Sequence, residues 1–409
     1  MNKFLKEFKD RGFFYQCTNE DELSKLLDKE KINGYIGFDC TAESLHVGSL
    51  LQIMCLRLLQ KHGHRPIVLL GGGTTRIGDP SGKDKTRTIL NEKEIEKNIK
   101  SIEGILKNFL DIKDPKTKPI FVNNYTWLEG LNYISFLRDI GKHFTINKML
   151  SFDSVKTRLE REQSLSYMEF NYMILQAYDF LELNKKENCV LQMGGSDQWG
   201  NIVNGVDLIK RHSSKQAYGL TTPLITLASG AKMGKTESGA VWLDKKFLSP
   251  YEYWQFWRNI DDRDVLKFIK IFTDMDTNEI EKIKDNNIND LKILLANKAT
   301  EMLHGEQEAK NSEGTAKQTF TDNSMGDNLP SISLDEKELK SKITIIDLII
   351  LSKLESSKSE IKRLIKGNGV KINNQVVADE KLIVTKDLFK DGLIKLSLGK
   401  KRHIKVISN

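Results

Sequence analysis

The sequence lacks the features that direct a protein into or across a membrane. Its opening residues, MNKFLKEFKDRGFF, contain no apolar stretch like that of a secretory signal peptide. No later apolar run approaches the ~20 residues that a membrane-spanning helix needs. There are only four cysteines and no CxxC pair, which argues against a zinc site or a disulfide scaffold. We therefore expect a cytoplasmic protein with reduced thiols and no membrane partner.

Signatures of common nucleotide chemistry and of repetitive architecture are also missing. The glycine-rich loop at residues 71–87 lacks the GxxxxGK[ST] spacing of a P-loop, which excludes a standard P-loop ATPase. The sequence contains no dedicated metal cage, internal repeat or low-complexity tract. What remains is a chain of 409 residues, 39% apolar and 29% charged, which is typical of a globular protein with two or three domains.

The positive charge is concentrated in the last part of the sequence. Residues 341–409 contain 15 Lys or Arg against 7 Asp or Glu, a balance of +8, so the first 340 residues carry 7 − 8 = −1 of the net charge of +7. A near-neutral body with a compact basic domain indicates a polyanionic partner. The alternative is a lysine-rich solvated surface.

The first half of the sequence alternates strands and helices. The pattern predicts strands at GYIGFD (34–39), RPIVLLGGG (65–73) and CVLQMGG (189–195), with a helix at 49–62. This alternation favours a Rossmann-type parallel sheet with helices on both faces. Ligands bind such sheets at the carboxyl ends of the strands, and every candidate segment below follows a strand or lies on a helix beside one.

The second half changes character twice. Residues 249–318 are charged, and their pattern is helical without strand alternation. The turn-rich segment at 322–334 is interpreted as a linker. Beyond it the pattern predicts two helices, TIIDLIILSKL and SKSEIKRLIKG, then short strands at GVKIN and LIKLSL and a basic end, GKKRHIKV. We expect an α/β domain followed by an α-helical domain and a small α+β domain.

The loop after the first predicted strand contains His46 and Gly48 in an HxG pattern. About 0.5 such matches are expected by chance in a sequence of this composition, so the pattern alone carries little information. Its position matters more, because backbone N–H groups and the helix dipole favour phosphate at a helix N-terminus. Gly48 permits close approach of a ligand, and His46 can donate to a phosphoryl oxygen. A capping loop with a surface histidine is the simpler alternative.

The loop after the second predicted strand, GGGTTRIGDPSGKDKTR, combines a glycine turn with charges of both signs. The Asp79 carboxylate suits a substrate ammonium group, whereas Lys83 and Arg87 suit a pyrophosphate. An ordinary turn with mixed surface charge would have the same composition.

The apolar segment NYMILQAYDFLEL carries a narrow polar stripe. Tyr172, Gln176 and Asp179 are spaced i, i+4 and i+7, so they fall within about 60° of one another on a helix. Because an unsatisfied buried polar group costs roughly 1–3 kcal/mol, these side chains need partners. The partners are either other protein groups or a polar ligand.

Two further loops place glycine beside polar residues. In GGSDQWGN (194–201), Gly195 permits close approach, Asp197 can bind ribose hydroxyls and Gln198 can reach a carboxylate or an amide. In KMGKT (232–236), Lys232 and Lys235 suit a mobile loop that closes on a polyphosphate. By itself, this second loop is equally compatible with a solvated turn.

Taken together and in this order, these segments resemble the bacterial tyrosyl-tRNA synthetases, which are class I aminoacyl-tRNA synthetases. YIGFDCTAESLHVGSL contains a loop similar to the HIGH signature of that class, and KMGKT is similar to its KMSKS signature. IGDPSGK, YMILQAYDFLEL and GGSDQWGN extend the match. The segment SKSEIKRLIKGNGVKINN resembles a small RNA-binding module named after a ribosomal protein. The resemblance spans essentially the whole chain.

The resemblance implies a role for each candidate residue. Tyrosine binding, through the phenol, the ammonium group or the carboxylate, is implied for Tyr35, Asp79, Tyr172, Gln176, Asp179 and Gln198. ATP binding is implied for Gly37, Asp39, His46, Gly48, Gly195, Asp197, Lys232, Met233 and Lys235. Catalytic stabilisation of the departing pyrophosphate is implied for Thr41, His46, Lys83, Arg87, Lys232 and Lys235. RNA contacts are implied for Lys358, Lys362, Arg363, Lys366, Lys400, Lys401 and Arg402.

The implied reaction activates L-tyrosine with ATP and then transfers it to the tRNA for tyrosine. The amino-acid carboxylate is already a nucleophile at neutral pH, so attack on the α-phosphorus needs alignment and hydrogen-bond donors rather than a general base. This agrees with candidate residues that include no catalytic triad or carboxylate dyad. Mg²⁺ would enter with ATP as a substrate complex, no tightly bound cofactor is expected, and the resemblance implies a homodimer.

The resemblance also implies domain limits. These are a catalytic domain at 1–230, a mobile KMSKS-like loop at 231–247, a helical anticodon-side domain at 248–322, a linker at 323–340 and an RNA-binding domain at 341–409.

Three residues depart from the family pattern. Ser49 stands at the last position of the first signature, where His is usual, and it weakens the expected phosphate contact. Ile36 and Cys40 stand where relatives often carry a thiol or hydroxyl and a proline. Ile36 offers no side-chain contact to a ribose, so ATP binding would depend more on Asp197 and Gly195.

Three other interpretations remain open. The related tryptophanyl enzyme shares the catalytic signatures, although Tyr35 and Asp179, which suit a phenol, and the basic end favour tyrosine. A non-catalytic splicing factor with a synthetase fold would not need the HVG and KMGKT segments. A simple nucleotidyltransferase shares the HxGx loop but needs neither a helical domain nor a basic RNA-binding end.

Overall fold

The computed structural model describes most of the chain. The described ranges are 2–81, 90–231, 233–236, 239–320, 325–326, 328–335, 338–339, 341–399 and 402–408. Five predicted site residues lie outside them, namely Lys83, Arg87, Lys232, Lys400 and Lys401. For Lys235 only the backbone is described. The chain divides into unit 1, residues 1–248 and 259–295, and unit 2, residues 249–258 and 296–409.

Unit 1 is built on a six-stranded sheet. In chain order its strands are β1 (Gln16–Cys17), β2 (Asn33–Phe38), β3 (Arg65–Leu70), β4 (Ile120–Asn123), β5 (Cys189–Gly195) and β6 (Tyr218–Thr222). The spatial order is β1-β6-β5-β2-β3-β4. Strands β2 to β6 run parallel to their neighbours, and β1 pairs antiparallel with β6. The three strands predicted from the sequence form the centre of the sheet, so their carboxyl ends meet at one edge.

Ten helices of the described part of unit 1 precede, connect or follow these strands. They are α1 (Lys3–Asp10), α2 (Glu20–Lys29), α3 (Leu50–Lys61), α4 (Glu92–Phe109), α5 (Tyr125–Leu128), α6 (Tyr133–Asp139), α7 (Ile146–Leu150), α8 (Asp153–Glu160), α9 (Tyr167–Glu187) and α10 (Trp199–Ser213). Helix α9 starts with a capping box in which Ser166 and Glu169 satisfy each other's backbone N–H groups. It ends at Asn188, which adopts the left-handed conformation common at helix C-termini.

The central strands are buried along nearly their whole length. Five of the six residues of β3 are buried, as expected for a parallel strand covered on both faces. Helix α3 follows β2 directly and buries nine of its twelve residues, among them Ile53, Cys55 and Leu56. The sheet and its helices therefore form a rigid support for the loops at the strand ends.

A short hairpin and a series of helices follow β6. Strands β7 (Lys235–Thr236) and β8 (Gly239–Ala240) pair antiparallel. The helices after them are α11 (Pro250–Arg258), α12 (Val265–Phe272), α13 (Thr277–Ile283), α14 (Ile288–His304) and α15 (Glu306–Phe320). The described residues between 249 and 318 contain no strand, in agreement with the helical pattern of the sequence.

Unit 2 contains a second, five-stranded sheet. Its strands are β9 (Ser331–Leu334), β10 (Val370–Ile372), β11 (Gln375–Val376), β12 (Leu393–Leu398) and β13 (Arg402–Ser408), in the order β11-β10-β12-β13-β9. Helices α16 (Ile345–Leu351) and α17 (Lys358–Lys366) supply buried isoleucine and leucine side chains to its core. The two helices and the mixed α+β character match the sequence prediction.

The interpretation of residues 322–334 as a linker is wrong at its end. Residues 331–334 form β9, which pairs in parallel with β13 and places Ser331 opposite Lys405. Leu334 is buried in the same core as Leu348 and Ile361. The error has a physical cause. The four residues after Pro330 show only a weak alternation of apolar and polar side chains, which is too short to indicate a strand. Their structure is decided instead by pairing with β13, 74 positions away in sequence.

Two general features of the chain bear on the sequence predictions. Within the described ranges, no helix combines the length and the apolar character needed to cross a bilayer. All four cysteines are free thiols, and three of them are buried.

Candidate active site

A cavity of about 340 Å³ opens at the carboxyl ends of β2, β3 and β5. It brings together segments that are far apart in sequence, since both Tyr35 and Leu224 line it. The predicted site residues that line it are Tyr35, Gly37, Asp39, Thr41, Gly48, Asp79, Tyr172, Gln176, Asp179, Gly195, Asp197 and Gln198. Ile36 and Ser49, which depart from the family pattern, line it as well.

Tyr35 contributes a buried hydroxyl to this cavity. The side chain lies on β2, is 1% exposed and packs against Phe180 with 5.2 Å between the ring centroids. Its hydroxyl has no hydrogen-bond partner among the described residues. Burial raises the pKa of Tyr35 well above its usual value, and the nearby Asp179 carboxylate acts in the same direction. A neutral hydroxyl without a partner among the described residues is available to bind a polar ligand.

Asp179 lies on the polar stripe of α9 and is fully enclosed. Asn124 Nδ2 donates to Oδ2 of Asp179 at 3.0 Å, and Trp127 Nε1 donates to Oδ1 at 2.8 Å. Burial raises the pKa of Asp179 to about 7, against the lowering effect of these two donors. The carboxylate of Asp39 raises it further. Both oxygens of the carboxyl group are therefore held in fixed positions.

Tyr172 is linked to Asp39 in the cavity wall. The Tyr172 hydroxyl donates to Oδ2 of Asp39 at 3.2 Å, and Thr74 donates to Oδ1 at 2.9 Å. Asn124 in turn donates to the Thr74 hydroxyl at 3.0 Å, so one amide joins Thr74 and Asp179. Tyr172 and Asp179, which are predicted to bind tyrosine, thus share one hydrogen-bonded network with Asp39, which is predicted to bind ATP.

A second network surrounds Asp79. Gln198 Nε2 donates to Oδ2 of Asp79 at 2.9 Å, and the backbone N–H of Ser81 donates to Oδ1. Asn201 Nδ2 donates to Oε1 of Gln198 at 3.1 Å and to Oε1 of Gln176 at 3.0 Å. Asn201, which was not among the predicted site residues, therefore orients Gln176 and Gln198, and Gln198 in turn holds Asp79.

The described lining of the cavity is acidic. Four carboxylates line it, those of Asp39, Asp79, Asp179 and Asp197, and the described lining contains no Lys or Arg. Such a lining attracts a ligand with a positive group, such as the ammonium group of an amino acid. The predicted phosphate-binding cations are the residues whose side chains lie outside the described ranges.

The two signature-like loops meet at His46 and Gly234. The backbone N–H of Gly48 donates to Nδ1 of His46 at 3.0 Å, which places the proton of the neutral ring on Nε2. Gly234 has φ +107°, and a Cβ atom there would lie 2.6 Å from Nδ1 of His46. The Met233 carbonyl also lies against Gly48. Glycine is required at both positions for the loops to approach this closely.

Backbone pairing joins the same two segments. Val47 N donates to Val241 O and Leu243 N donates to Leu45 O, both at 2.9 Å, and Val241 N donates to Gly234 O at 3.2 Å. The base of the KMGKT loop is tied to the start of α12, because Ala228 N donates to Oδ2 of the buried Asp264 at 2.7 Å. The described part of this loop is therefore held from two sides.

Several residues of the site were missed from the sequence. Thr74, Asn124, Trp127 and Asn201 orient the predicted side chains, and Gln192 lines the cavity with a buried Oε1 that has no described partner. Thr74 and Asn201 lie within the loop segments that were singled out from the sequence, close in sequence to Asp79 and Gln198. That closeness could have identified them as site residues. Asn124 and Trp127 follow β4, which carries no clear pattern.

The described residues contain no group of three or more His, Cys, Asp or Glu side chains that could hold a metal ion. Three of the cavity carboxylates, those of Asp39, Asp79 and Asp179, accept from a hydroxyl, an amide and an indole donor.

Four of the predicted RNA-binding residues occupy one face of α17, and Arg402 is the first residue of β13. Lys358, Lys362, Arg363 and Lys366 are exposed, while Ile361 and Ile365 on the opposite face are buried. Arg363 contacts Glu360 and Lys362 contacts Glu380, both at the surface. Exposed pairs of this kind contribute little stability, so the cations can exchange these partners for phosphates at low cost.

Comparison with family models identifies two regions. Residues 27–321 match the model described as tRNA synthetases class I (W and Y), and residues 346–388 match the S4 domain.

Individual relatives extend the comparison over the whole chain. The tyrosine–tRNA ligase of Pelagibacter ubique (strain HTCC1062) is 82% identical over 406 residues, covering 99% of each chain. The tyrosine–tRNA ligase of Rickettsia rickettsii (strain Sheila Smith) is 51% identical over 408 residues, also covering 99% of each chain.

Solved structures show the same fold. A C-terminally truncated mitochondrial tyrosyl-tRNA synthetase from Aspergillus nidulans has a TM-score of 0.69 and 31% identity, covering 78% of this chain and 94% of its own. The tyrosyl-tRNA synthetase from Archaeoglobus fulgidus, complexed with L-tyrosine, has a TM-score of 0.57 at 16% identity, covering 76% of this chain and 100% of its own, and supports the fold alone.

Proposed function

Because the chain belongs to the class I tRNA synthetases of the tryptophan and tyrosine group, we propose that it activates L-tyrosine with ATP and transfers it to the tRNA for tyrosine. The activity is that of a tyrosine–tRNA ligase. The observation that carries the choice of tyrosine is the pair formed by Tyr35 and Asp179, a partnerless buried hydroxyl and a fixed carboxyl group in one cavity.

We propose that the phenol of the substrate binds between Tyr35 and Asp179. Its hydroxyl would donate to the Asp179 carboxylate and accept from the Tyr35 hydroxyl, which satisfies both protein groups. Phenylalanine would leave these buried groups unpaired, and tyrosyl enzymes are themselves the usual example of this kind of rejection. An indole N–H would satisfy only an acceptor, so the pair favours tyrosine over tryptophan.

The other end of the amino acid meets the network around Asp79. Asp79, Tyr172 and Gln176 supply oxygen atoms suited to an ammonium group, and the amide of Gln198 lies beside them for the carboxylate. Asn201 fixes two of these side chains before the ligand arrives. Such preorganisation lowers the entropy lost when the substrate binds.

ATP would occupy the part of the cavity bounded by the glycine turns. Gly37, Gly48 and Gly195 line it, so the nucleotide can approach the backbone, and we assign binding of the ribose hydroxyls to Asp197, which lines the same cavity. Ile36 and Ser49 line the same cavity, and neither brings a charge to a phosphate. We take Mg²⁺ to be part of the ATP substrate, where it would neutralise phosphate charge as pyrophosphate leaves.

The chemistry needs alignment and electrostatic stabilisation. The substrate carboxylate attacks the α-phosphorus, and the bond to pyrophosphate breaks. We propose that Thr41, His46, Lys83, Arg87, Lys232 and Lys235 stabilise the negative charge that develops on the phosphates. His46 supports this role because its Nδ1 accepts from Gly48, which leaves Nε2 as its donor.

Recognition of tRNA is assigned to the predicted domains beyond the catalytic part. We propose that the helical stretch at 248–322 faces the anticodon side and that the basic surface of α17, together with Lys400, Lys401 and Arg402, contacts RNA phosphates. The match of residues 346–388 to the S4 domain and the exposed cations of α17 support this proposal.

A homodimer is also proposed. Tyr133, Ile134, Leu137, Ile146 and Tyr167 are large apolar side chains exposed within one stretch of 35 residues of unit 1. Clustered exposure of this kind is typical of a protein interface. An Ile134→Asp variant should sediment as a smaller species than the wild type, while Ile112→Asp, at another exposed isoleucine, should not.

The function is tested by pyrophosphate exchange screened over the twenty amino acids. Incorporation of labelled pyrophosphate into ATP should require tyrosine, with tryptophan and phenylalanine far less effective. Charging of the tRNA for tyrosine should follow with the same protein. Exchange that depends on tryptophan instead, or that needs no amino acid, would contradict the proposal. A cytoplasmic location, which we also propose, is tested by cell fractionation.

A further inference from the structure

An aromatic surface lies directly outside the catalytic cavity. Its core is Trp242 and Phe247, whose ring centroids are 6.0 Å apart, and the Trp242 ring lies 6.4 Å from the imidazole of His46. Phe247 is 48% exposed, so about half of its surface is open to a ligand. We call this feature, together with Lys245 and Lys246, the aromatic step.

The backbone pairing explains why the aromatic step faces outward. His46 and Trp242 form an antiparallel bridge, and directly opposed residues of such a pair point to the same face. Their neighbours Leu45, Val47 and Leu243 alternate with them and are buried. Trp242 is therefore placed on the same face as His46, on the side away from the core.

The aromatic step is continuous with the cavity. Leu45 and Gly48 line the cavity on either side of His46, and Leu243 N donates to the Leu45 carbonyl. The path from the cavity mouth to Phe247 therefore passes His46 and Trp242 in order. A ligand that extends out of the cavity along this path meets aromatic rings before it meets solvent.

The charges beside the rings suit a polyanion. Lys245 and Lys246 are exposed and form no ion pair with a described acid. The nearest acid in sequence, Asp244, accepts from the backbone N–H of Lys246 and from the Ser101 hydroxyl. Aromatic rings next to lysines are the arrangement that binds single-stranded nucleic acid, because bases stack on the rings while cations neutralise the phosphates.

We propose that the aromatic step binds the single-stranded 3′ end of the tRNA as it enters the cavity. This inference rests on the proposed function, since it takes tRNA as the second substrate. Phe247 and Trp242 would stack on unpaired bases, and Lys245 and Lys246 would contact the adjacent phosphates. The step thereby guides the terminal ribose toward the activated amino acid.

The test measures binding of two tRNA transcripts by the full-length protein. One transcript is intact, and the other lacks the unpaired nucleotides of its 3′ end. Phe247→Ala should raise the Kd of the intact transcript by about fivefold or more, as expected for the loss of one stacked base, and should leave the Kd of the truncated transcript unchanged. Phe247→Tyr keeps the ring and should bind both like the wild type. Ile112→Ala, at another exposed apolar residue, is the control.

Three results would overturn the inference. An equal loss of affinity for both transcripts would place the contact on the duplex, and an unchanged Kd for both would remove the contact altogether. A raised KM for ATP in pyrophosphate exchange would mean that the ring stacks on the adenine of ATP. Tyrosine-dependent exchange by the wild type is measured separately, so failure of the proposed function is distinguished from failure of the aromatic step.

Discussion

Trp127 donates its indole N–H to Asp179 across 2.8 Å, although the two residues lie 52 positions apart in the sequence. Together with Asn124, this contact fixes a carboxyl group that burial would otherwise keep protonated and unoriented. The donors favour the ionised form, and desolvation favours the neutral one. The carboxyl group of Asp179, which is proposed to recognise the phenol of the substrate, is therefore balanced between its ionised and its neutral form.

Removal of the carboxyl group should abolish the selection of tyrosine over phenylalanine. In Asp179→Ala the phenol of tyrosine loses a hydrogen bond to a charged group, which at a buried site is worth more than about tenfold in affinity for tyrosine. Phenylalanine forms no such bond, so its affinity should not fall. The ratio of kcat/KM for the two amino acids in pyrophosphate exchange measures this. Asp207→Asn, a carboxylate paired with Lys148 outside the cavity, is the control. Unchanged discrimination would remove Asp179 from substrate recognition.

The affinity for tyrosine should depend on pH near neutrality. Burial raises the pKa of Asp179 to about 7, so the group ionises only as the pH rises through that value. If the ionised form accepts the phenolic hydrogen bond, the KM for tyrosine should be lower at pH 8 than at pH 6, by up to about tenfold. Exchange assays from pH 6 to 8 test this with wild type and Asp179→Asn. The variant should show no such dependence, and a flat wild-type profile would mean that both forms bind equally.

The contact between the two signature-like loops leads to a prediction about Gly234. A methyl group there would lie 2.6 Å from His46 Nδ1 and 3.1 Å from the Gly48 nitrogen, so Gly234→Ala should force the loops apart. We expect adenylate formation in single-turnover experiments to slow by more than about tenfold, because alignment of the phosphates is lost.

Gly239→Ala provides a matched control for that experiment. Gly239 also has a positive φ, +114°, but a Cβ atom there would meet no atom within 4 Å. Both variants therefore carry backbone strain, but only Gly234→Ala also brings a methyl group into a clash with His46. Equal rates for the two would show that strain alone, and not the approach of the loops, controls the reaction.

Loss of the Asp264 side chain, which anchors the KMGKT loop, should lower the rate of pyrophosphate exchange but should hardly change the binding of tyrosine. Asp264 is buried and accepts the N–H of Ala228, so Asp264→Ala leaves this end of the loop untethered. We expect kcat for exchange to fall several-fold with little change in the KM for tyrosine. Asp262→Ala, which removes a neighbouring exposed carboxylate paired with Lys292, should leave both constants unchanged. A rise in the KM for tyrosine alone would contradict an anchoring role.

The sequence predicted the family, the fold class and the activity, and the comparisons confirm all three. It succeeded because β2, β3 and β5 are continuous apolar runs and because the loops after them carry recognisable residues. The structure brings twelve of the predicted residues into one cavity, among them Asp39, Asp79 and Asp197 from those loops, while their individual roles stay predictions. The domain limits also stay predictions, except that residues 331–334 of the predicted linker form β9.

What the sequence could not supply depends on distant pairing. Strand β4 consists of four half-buried residues and has no clear pattern, so Asn124 and Trp127 could not be placed beside Asp179. Likewise, β9 exists because β13 offers it a free edge. The outward face shared by His46 and Trp242 requires the pairing of two loops 196 residues apart, which no local pattern encodes.

The basic surface of α17 should determine the salt dependence of tRNA binding. Lys362 and Arg363 are exposed on the face opposite Ile361, so both can contact phosphates without any change in the core. Each phosphate contact releases about one counterion, so Lys362→Ala/Arg363→Ala should lower the slope of log K against log salt by about 2. Lys113→Ala/Lys116→Ala removes the same charge from an exposed loop of unit 1 and should leave the slope unchanged. Equal slopes for the two double variants would mean that net charge, rather than the surface of α17, attracts the RNA. As a control for folding, both double variants should activate tyrosine like the wild type.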